Sequence, residues 1–193
     1  YGYNSNYPEG LYVADSTGQL ITASESTKKE SDVTNSTWYK EGLTRVNMAV
    51  GSAYQNADGV NVISASGILN DGSDKVRVIS ADMTLDRIAI IVNSFIEMND
   101  AEAFLVDKTS GVILANRDSS LISQTLGAEG QSHFYQLTAE KAAEKDYNFA
   151  TLDGNMTVFQ EVDGTNWLLI SYIPTSIVLS DLTQLRNIMI VIS

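Results

Sequence analysis

The chain has 193 residues, 44% of them hydrophobic and 19% charged, with no cysteine and a single histidine. That balance belongs to a globular protein with enough chain for a packed core, and the lack of cysteine excludes disulfides, thiolate metal sites and a cysteine nucleophile. The formal net charge of -12 sets the surface against phosphate backbones, so no nucleic-acid polymer is expected as a partner.

In chain order, residues 11–23 (LYVADSTGQLITA) read as a β-hairpin. Two apolar runs flank a Ser/Thr-Gly turn in which Gly18 supplies a positive φ. An almost entirely polar loop (24–37) follows, and Trp38 and Tyr39 open a helix. Strands are expected at about 50–56, 60–69 and 75–82, with NDGSD (70–74) turning the last pair. The apolar spacing of Leu85, Ile88, Ala89, Val92, Phe95 and Ile96 predicts a helix over 84–98, with Thr84 as a cap.

The pattern then starts again. FLVDKTSGVILA (104–115) repeats the hairpin, with Gly111 about 93 residues beyond Gly18. Strands are expected at about 147–152, 155–162 and 166–173, with Asp163 and Gly164 as a tight turn. DGVNVIS (58–64) matches DGNMTVF (153–159), and VISADM (78–83) matches LISYIP (169–174), at nearly the same offset. Three landmarks in one order at one spacing argue for two copies of one unit. Each copy runs hairpin, polar helical segment, three strands. The expected fold class is therefore α+β: two tandem PAS-like modules, each an antiparallel five-stranded sheet with flanking helices. At the end of the chain, Thr175 or Ser176 caps an apolar-striped helix through Ile177, Val178, Leu182 and Leu185. The stripe becomes uniformly apolar over 188–192, which reads as a helix leading into a truncated transmembrane segment.

TWYKEGL (37–43), SAYQNADG (52–59) and VISADMTLDRI (78–88) together resemble the extracytoplasmic double Cache domain, the tandem PAS-like sensor of bacterial chemoreceptors and sensor kinases. The resemblance implies a membrane-distal module with the ligand pocket and a connecting helix over 1–100. It implies a membrane-proximal module over 101–174 and a helix toward the membrane over 175–193. It further implies flanking transmembrane helices, a place on the extracytoplasmic side of the cell membrane, and a homodimeric full-length receptor.

In that family the distal pocket lies between the helix-bearing loop and the sheet. The matching positions are Trp38 and Tyr39, Tyr54 and Asn56 in the following strand, and Asp82. Aromatic walls exclude water, polar groups orient the ligand, and the carboxylate pairs with a donor. The alternative for Trp38 and Tyr39 is plain core, and for Asp82 a helix cap. On the pocket reading, Trp38→Ala removes binding and leaves the fold intact. Relatives that bind amino acids resemble one another in a tyrosine, an arginine and an acid, where this chain has Ser31, Ser36 and Asn56. With Ser36 in place of the carboxylate-clamping arginine, the expected ligand is a nucleobase or an amine rather than a standard α-amino acid. A short carboxylate would need backbone N–H groups or Lys28, Lys29 or Arg77 at the pocket.

The second copy reads as lacking such a cluster. Asn116, Arg117 and Asp118 are expected in a solvated turn, and His133, near a helix start at Ser132, as a partly buried structural residue. There is no HExxH, GxSxG or P-loop, and NDGSDK reads as a turn rather than a calcium loop. No catalysis, metal or cofactor is expected. The functional reading is a small-molecule sensor in a methyl-accepting chemotaxis receptor. The alternatives are the sensor of a histidine kinase or cyclic-nucleotide enzyme for a short carboxylate, and a surface adhesion module.

Overall fold

Among the described residues, ten short strands and the helices between them follow an order that repeats once, and a further helix begins at Thr175. The computed structural model describes residues 11–22, 32–94 and 100–179. In the first unit, β1 (Tyr12–Asp15) and β2 (Leu20–Thr22) form the opening hairpin, turned by Gly18 at φ 82°. A 3-10 turn at Val33–Asn35 leads into the short helix α1 (Thr37–Gly42). Three strands follow: β3 (Ala49–Gln55), β4 (Asn61–Ile68) and β5 (Arg77–Thr84). All pairs are antiparallel, in the order β2-β1-β5-β4-β3.

The second unit repeats this plan. Its hairpin is β6 (Glu102–Asp107) and β7 (Ile113–Ala115), its helix α3 (His133–Ala143). Its later strands are β8 (Ala150–Leu152), β9 (Asn155–Val162) and β10 (Trp167–Pro174), in the order β7-β6-β10-β9-β8. The two antiparallel five-stranded sheets are those expected from the repeat. In the chain, α2 (Leu85–Ser94) follows β5, capped by Thr84, whose Oγ1 accepts the Arg87 N–H at 3.2 Å. The chain divides into two compact units inside α2, between Ile88 and Ala89.

Each sheet buries one face beneath its helix. Trp38 and Tyr39 of α1, with Val33 of the preceding turn, pack against Tyr12 and Ala14 of β1 and Val78 of β5. Gly42 lets that helix approach the sheet: a Cβ there would stand 2.3 Å from Val78 Cγ1. In the second unit Phe104, Phe134, Phe159 and Ile170 lead an aromatic-rich core.

Three expectations change. The strand expected at 147–152 begins only at Ala150, because Asp146 Oδ1 accepts the Asn148 N–H and Nδ2 and folds that stretch as a turn. His133 is not partly buried. It is the first residue of α3, its side chain 66% exposed and its Nδ1 3.6 Å from Asp153 Oδ1. Asn116 is not in a solvated turn but buried, donating to the Tyr135 hydroxyl at 2.9 Å and accepting the Asp118 N–H at 2.9 Å.

Ser31, Lys28, Lys29, Phe95, Ile96 and the tail beyond Leu179 lie outside the described residues, and with them the expected membrane segment. Among the described residues, no helix is long and apolar enough to cross a membrane.

Candidate ligand site of the first unit

Strand register puts three polar side chains on one point of the inner sheet face. Ser64 on β4 stands directly opposite Asp82 on β5, and Tyr12 on β1 pairs with Ser80, two residues from Asp82 and on the same face. The result is a buried carboxylate between hydroxyls. Ser64 Oγ donates to Asp82 Oδ1 at 2.5 Å, and the Tyr12 hydroxyl donates to the same oxygen. Tyr54 on β3 extends the chain, its hydroxyl 2.8 Å from Ser64 Oγ.

Aromatic rings close over this cluster. The Trp38 ring meets Tyr12 edge-on with centroids 4.7 Å apart, and Tyr39 meets Trp38 edge-on at 5.7 Å. Burial, followed by the negative charge of Asp82, pushes the Tyr12 hydroxyl far above the ordinary tyrosine range, so it stays a proton donor. Burial, followed by the charge of Asp15, raises Tyr39 as well. Chemically, the cluster is an anion kept in place by neutral donors inside an apolar wall. Such a group can accept an N–H from a ligand that enters it.

The structure thus links Tyr54 and Asp82 through Ser64 and brings Trp38 to them through Tyr12, while Tyr39 packs on Trp38 with Asp15 as its charged neighbour. Trp38 is fully buried and Tyr39 nearly so. Ser36 and Asn56 are committed locally instead. Ser36 Oγ donates to the Val33 carbonyl at 2.6 Å, holding the entry to α1. Asn56 lies just past the end of β3, not on its face. Its Oδ1 accepts the Asp58 and Val60 N–H groups at 3.1 and 2.9 Å and pins the β3–β4 turn. Arg77 pairs with Asp71 in the β4–β5 loop, and Arg45 with Glu41 at 3.2 Å.

Sequence reasoning missed Tyr12 and Ser64. A signal for Ser64 was present: a hairpin centred on Ser73 sets position 64 opposite 82. The second unit is also richer than its sequence reading. Phe104 pairs with Ile170 as Tyr12 pairs with Ser80, and Tyr172 therefore takes the place of Asp82. Phe104, Phe134, Tyr135 and Tyr172 form an aromatic cluster there. What that place lacks is the acid, not the aromatics. The Tyr172 hydroxyl instead donates outward to Glu102 at 2.5 Å.

Among the described residues, no group of three or more histidines, aspartates or glutamates is placed to hold a metal ion. No curated protein sequence gives a match to the chain. Solved structures with this fold include the ligand-binding domain of the Pseudomonas fluorescens chemoreceptor CtaA in complex with L-isoleucine. It is 20% identical, covers 88% of this chain and 70% of its own, and has a TM-score of 0.64. The ligand-binding domain of the Pseudomonas aeruginosa PAO1 chemoreceptor PctC in complex with GABA is also 20% identical, covering 84% of this chain and 72% of its own at a TM-score of 0.61. That of the Pseudomonas aeruginosa PAO1 chemoreceptor PctB in complex with L-Gln is 17% identical, covering 86% and 68% at a TM-score of 0.64. The family model dCache_1 matches residues 2–182, and with its two five-stranded PAS-like sheets the chain belongs to the Cache domain family.

Proposed function

We propose that this chain is the extracytoplasmic sensing domain of a membrane receptor of the chemotaxis type, and that it binds a small molecule through an N–H donor at Asp82. The observation that carries this reading is the buried Asp82 carboxylate, held by the Tyr12 and Ser64 hydroxyls beneath Trp38. The ligands named for the structural neighbours, amino acids and GABA, all carry an ammonium group, the kind of donor such a carboxylate accepts.

The ligand proposed is an amine or a nucleobase. An α-amino acid also needs a cation for its carboxylate. Ser36 is turned to the Val33 carbonyl, and Arg77 and Arg45 are paired with Asp71 and Glu41. Residues 1–100 would form the membrane-distal module and 101–174 the proximal one. Flanking transmembrane helices would tether the domain, and two copies would pair in the receptor. Binding would shift the balance between two arrangements of the sensor, and the domain would release its ligand unchanged.

A second reading, an α-amino acid ligand, is favoured by the ligands of the neighbours. A thermal-shift panel of amines, nucleobases, short carboxylates and the common amino acids separates the two, since a ligand raises the melting temperature by mass action. The first reading expects shifts from amines or nucleobases alone. Shifts from amino acids alone favour the second, and no shift from any class counts against a sensor of small molecules.

A further inference from the structure

In both hairpins of the repeat the first strand ends in a nearly buried aspartate, Asp15 and Asp107, followed by a polar turn and a glycine. Each holds its turn with one carboxylate oxygen. Asp15 Oδ1 accepts the Thr17 N–H and hydroxyl and the Gln19 N–H. Asp107 Oδ1 accepts the Thr109 and Ser110 N–H groups at 2.9 and 2.8 Å, the Ser110 hydroxyl at 3.0 Å and Asn166 Nδ2 at 3.2 Å. The two differ at the second oxygen. Asp15 Oδ2 has the Lys75 ammonium 3.9 Å away. Asp107 Oδ2 accepts no hydrogen bond and meets no cation within ion-pair distance among the described residues; although Asp107 is only 7% exposed, this oxygen is reached by solvent rather than sealed in.

Asp107 also lines a cavity of about 310 Å³ with Leu126, Ala139, Ala142, Tyr147 and Leu168. The alanines of α3 leave this space against the sheet. Its volume is at the low end of the roughly 300–1,000 Å³ range of small-molecule sites. The rest of the lining is mixed, with Lys108, Thr109, Ser110 and Thr125 beside the leucines and alanines of the apolar wall. A solvent-reached carboxylate oxygen next to that wall is complementary to a cationic head on a short hydrocarbon. The cation on the cavity wall, Lys108, donates to Glu161 at 2.6 Å and stands beyond ion-pair distance of Asp107, although it still feels the Asp107 charge.

We propose that this cavity in the second unit is a further small-molecule site, selective for a primary ammonium group on a short apolar chain. It uses none of the residues around Asp82 and does not depend on what the first unit binds. Occupation would tie the β6–β7 turn to α3, giving the second unit an input of its own.

Amide NMR spectra of the whole chain during titration with n-butylammonium chloride test it. Saturable shifts are expected at the Thr109, Ser110 and Gly111 amides. n-Butanol, which lacks the charge, is expected to bind about tenfold to a hundredfold more weakly, the scale of one hydrogen bond to a charged group. Asp107→Asn keeps an oxygen for the turn and removes the charge, and is expected to weaken binding by a similar factor. Ala142→Leu fills the cavity from the other wall and is expected to abolish the shifts with the spectrum otherwise dispersed. Asp82→Asn is expected to leave these shifts unchanged, so failure in one unit is distinguishable from failure in the other. The proposal is overturned if the hairpin amides do not respond, if n-butanol shifts them equally, or if Asp107→Asn or a folded Ala142→Leu binds as the parent does.

Discussion

Single aspartates do two different jobs here. Asp82 is surrounded by hydroxyls on long-range neighbours, whereas Asp15, Asp71, Asp118 and Asp146 organise the few residues that follow them. Hydrogen bonds hold the carboxyls below the ordinary range: from the residues that follow for Asp15, Asp71 and Asp118, the Thr17 hydroxyl foremost for Asp15, and first from the Lys141 ammonium, then from Asn148, for Asp146. The sign follows directly. The unfolded chain takes up these protons first, so the stabilisation is complete above about pH 5 and is lost as pH falls through the ordinary aspartate range and then the lowered folded values. Chemical denaturation between neutral and strongly acid pH is therefore expected to show a smaller loss on acidification in Asp15→Asn than in the parent. An unchanged pH profile would remove Asp15 from this account. Trp38 carries a second residue-scale prediction, and a correction. Because it is fully buried between Tyr12 and Tyr39, Trp38→Ala is expected to destabilise the first unit by about 3–5 kcal/mol, not to leave the fold intact. Urea denaturation measures this, and a loss below about 1 kcal/mol would show that the ring is not core. At this scale, the family resemblance pointed to Trp38, Tyr39 and Asp82, and the structure buries all three, with Asp82 two residues inside β5 rather than at its end; their role as a site is the proposal. The two hydroxyls that hold the acid were not legible, because register across three strands brings them in. Asn56 was misjudged for a local reason: an Asx turn ended the strand one residue before it.

Among the elements, hairpins with a glycine at the turn were the most legible, since the positive φ at Gly18, Gly111 and Gly164 narrows the choice of residue. The short helix α1 was visible only through its aromatic start. What seats it is Gly42, whose missing Cβ lets the helix touch Val78 and Ser66. Gly42→Ala is expected to cost about 1–3 kcal/mol of stability by overpacking. Val78→Ala in the same chain should recover part of that loss, and a double-mutant cycle reads the coupling. Additive losses would mean that α1 is seated by something other than this contact. The β8 strand was overestimated because its first residues are apolar and aromatic, but the side chain of Asp146 and the positive φ of Lys145 turn the backbone first.

Across the whole molecule, the repeat predicted the architecture well because two copies of one topology leave the same spacing of turns in the sequence. The two sheets share a strand order and differ in what fills the equivalent position: an acid at Asp82, an aromatic at Tyr172. A duplicated fold has thus kept its frame and diverged at its inner face. That divergence motivates the proposal that the first unit senses a donor-bearing molecule. Calorimetry of the parent and Asp82→Asn against amines, nucleobases and α-amino acids tests it most directly. The account predicts an amine or nucleobase bound by the parent, with affinity about tenfold to a hundredfold weaker in Asp82→Asn, and no comparable binding of α-amino acids. Micromolar binding of an α-amino acid that survives Asp82→Asn would contradict it.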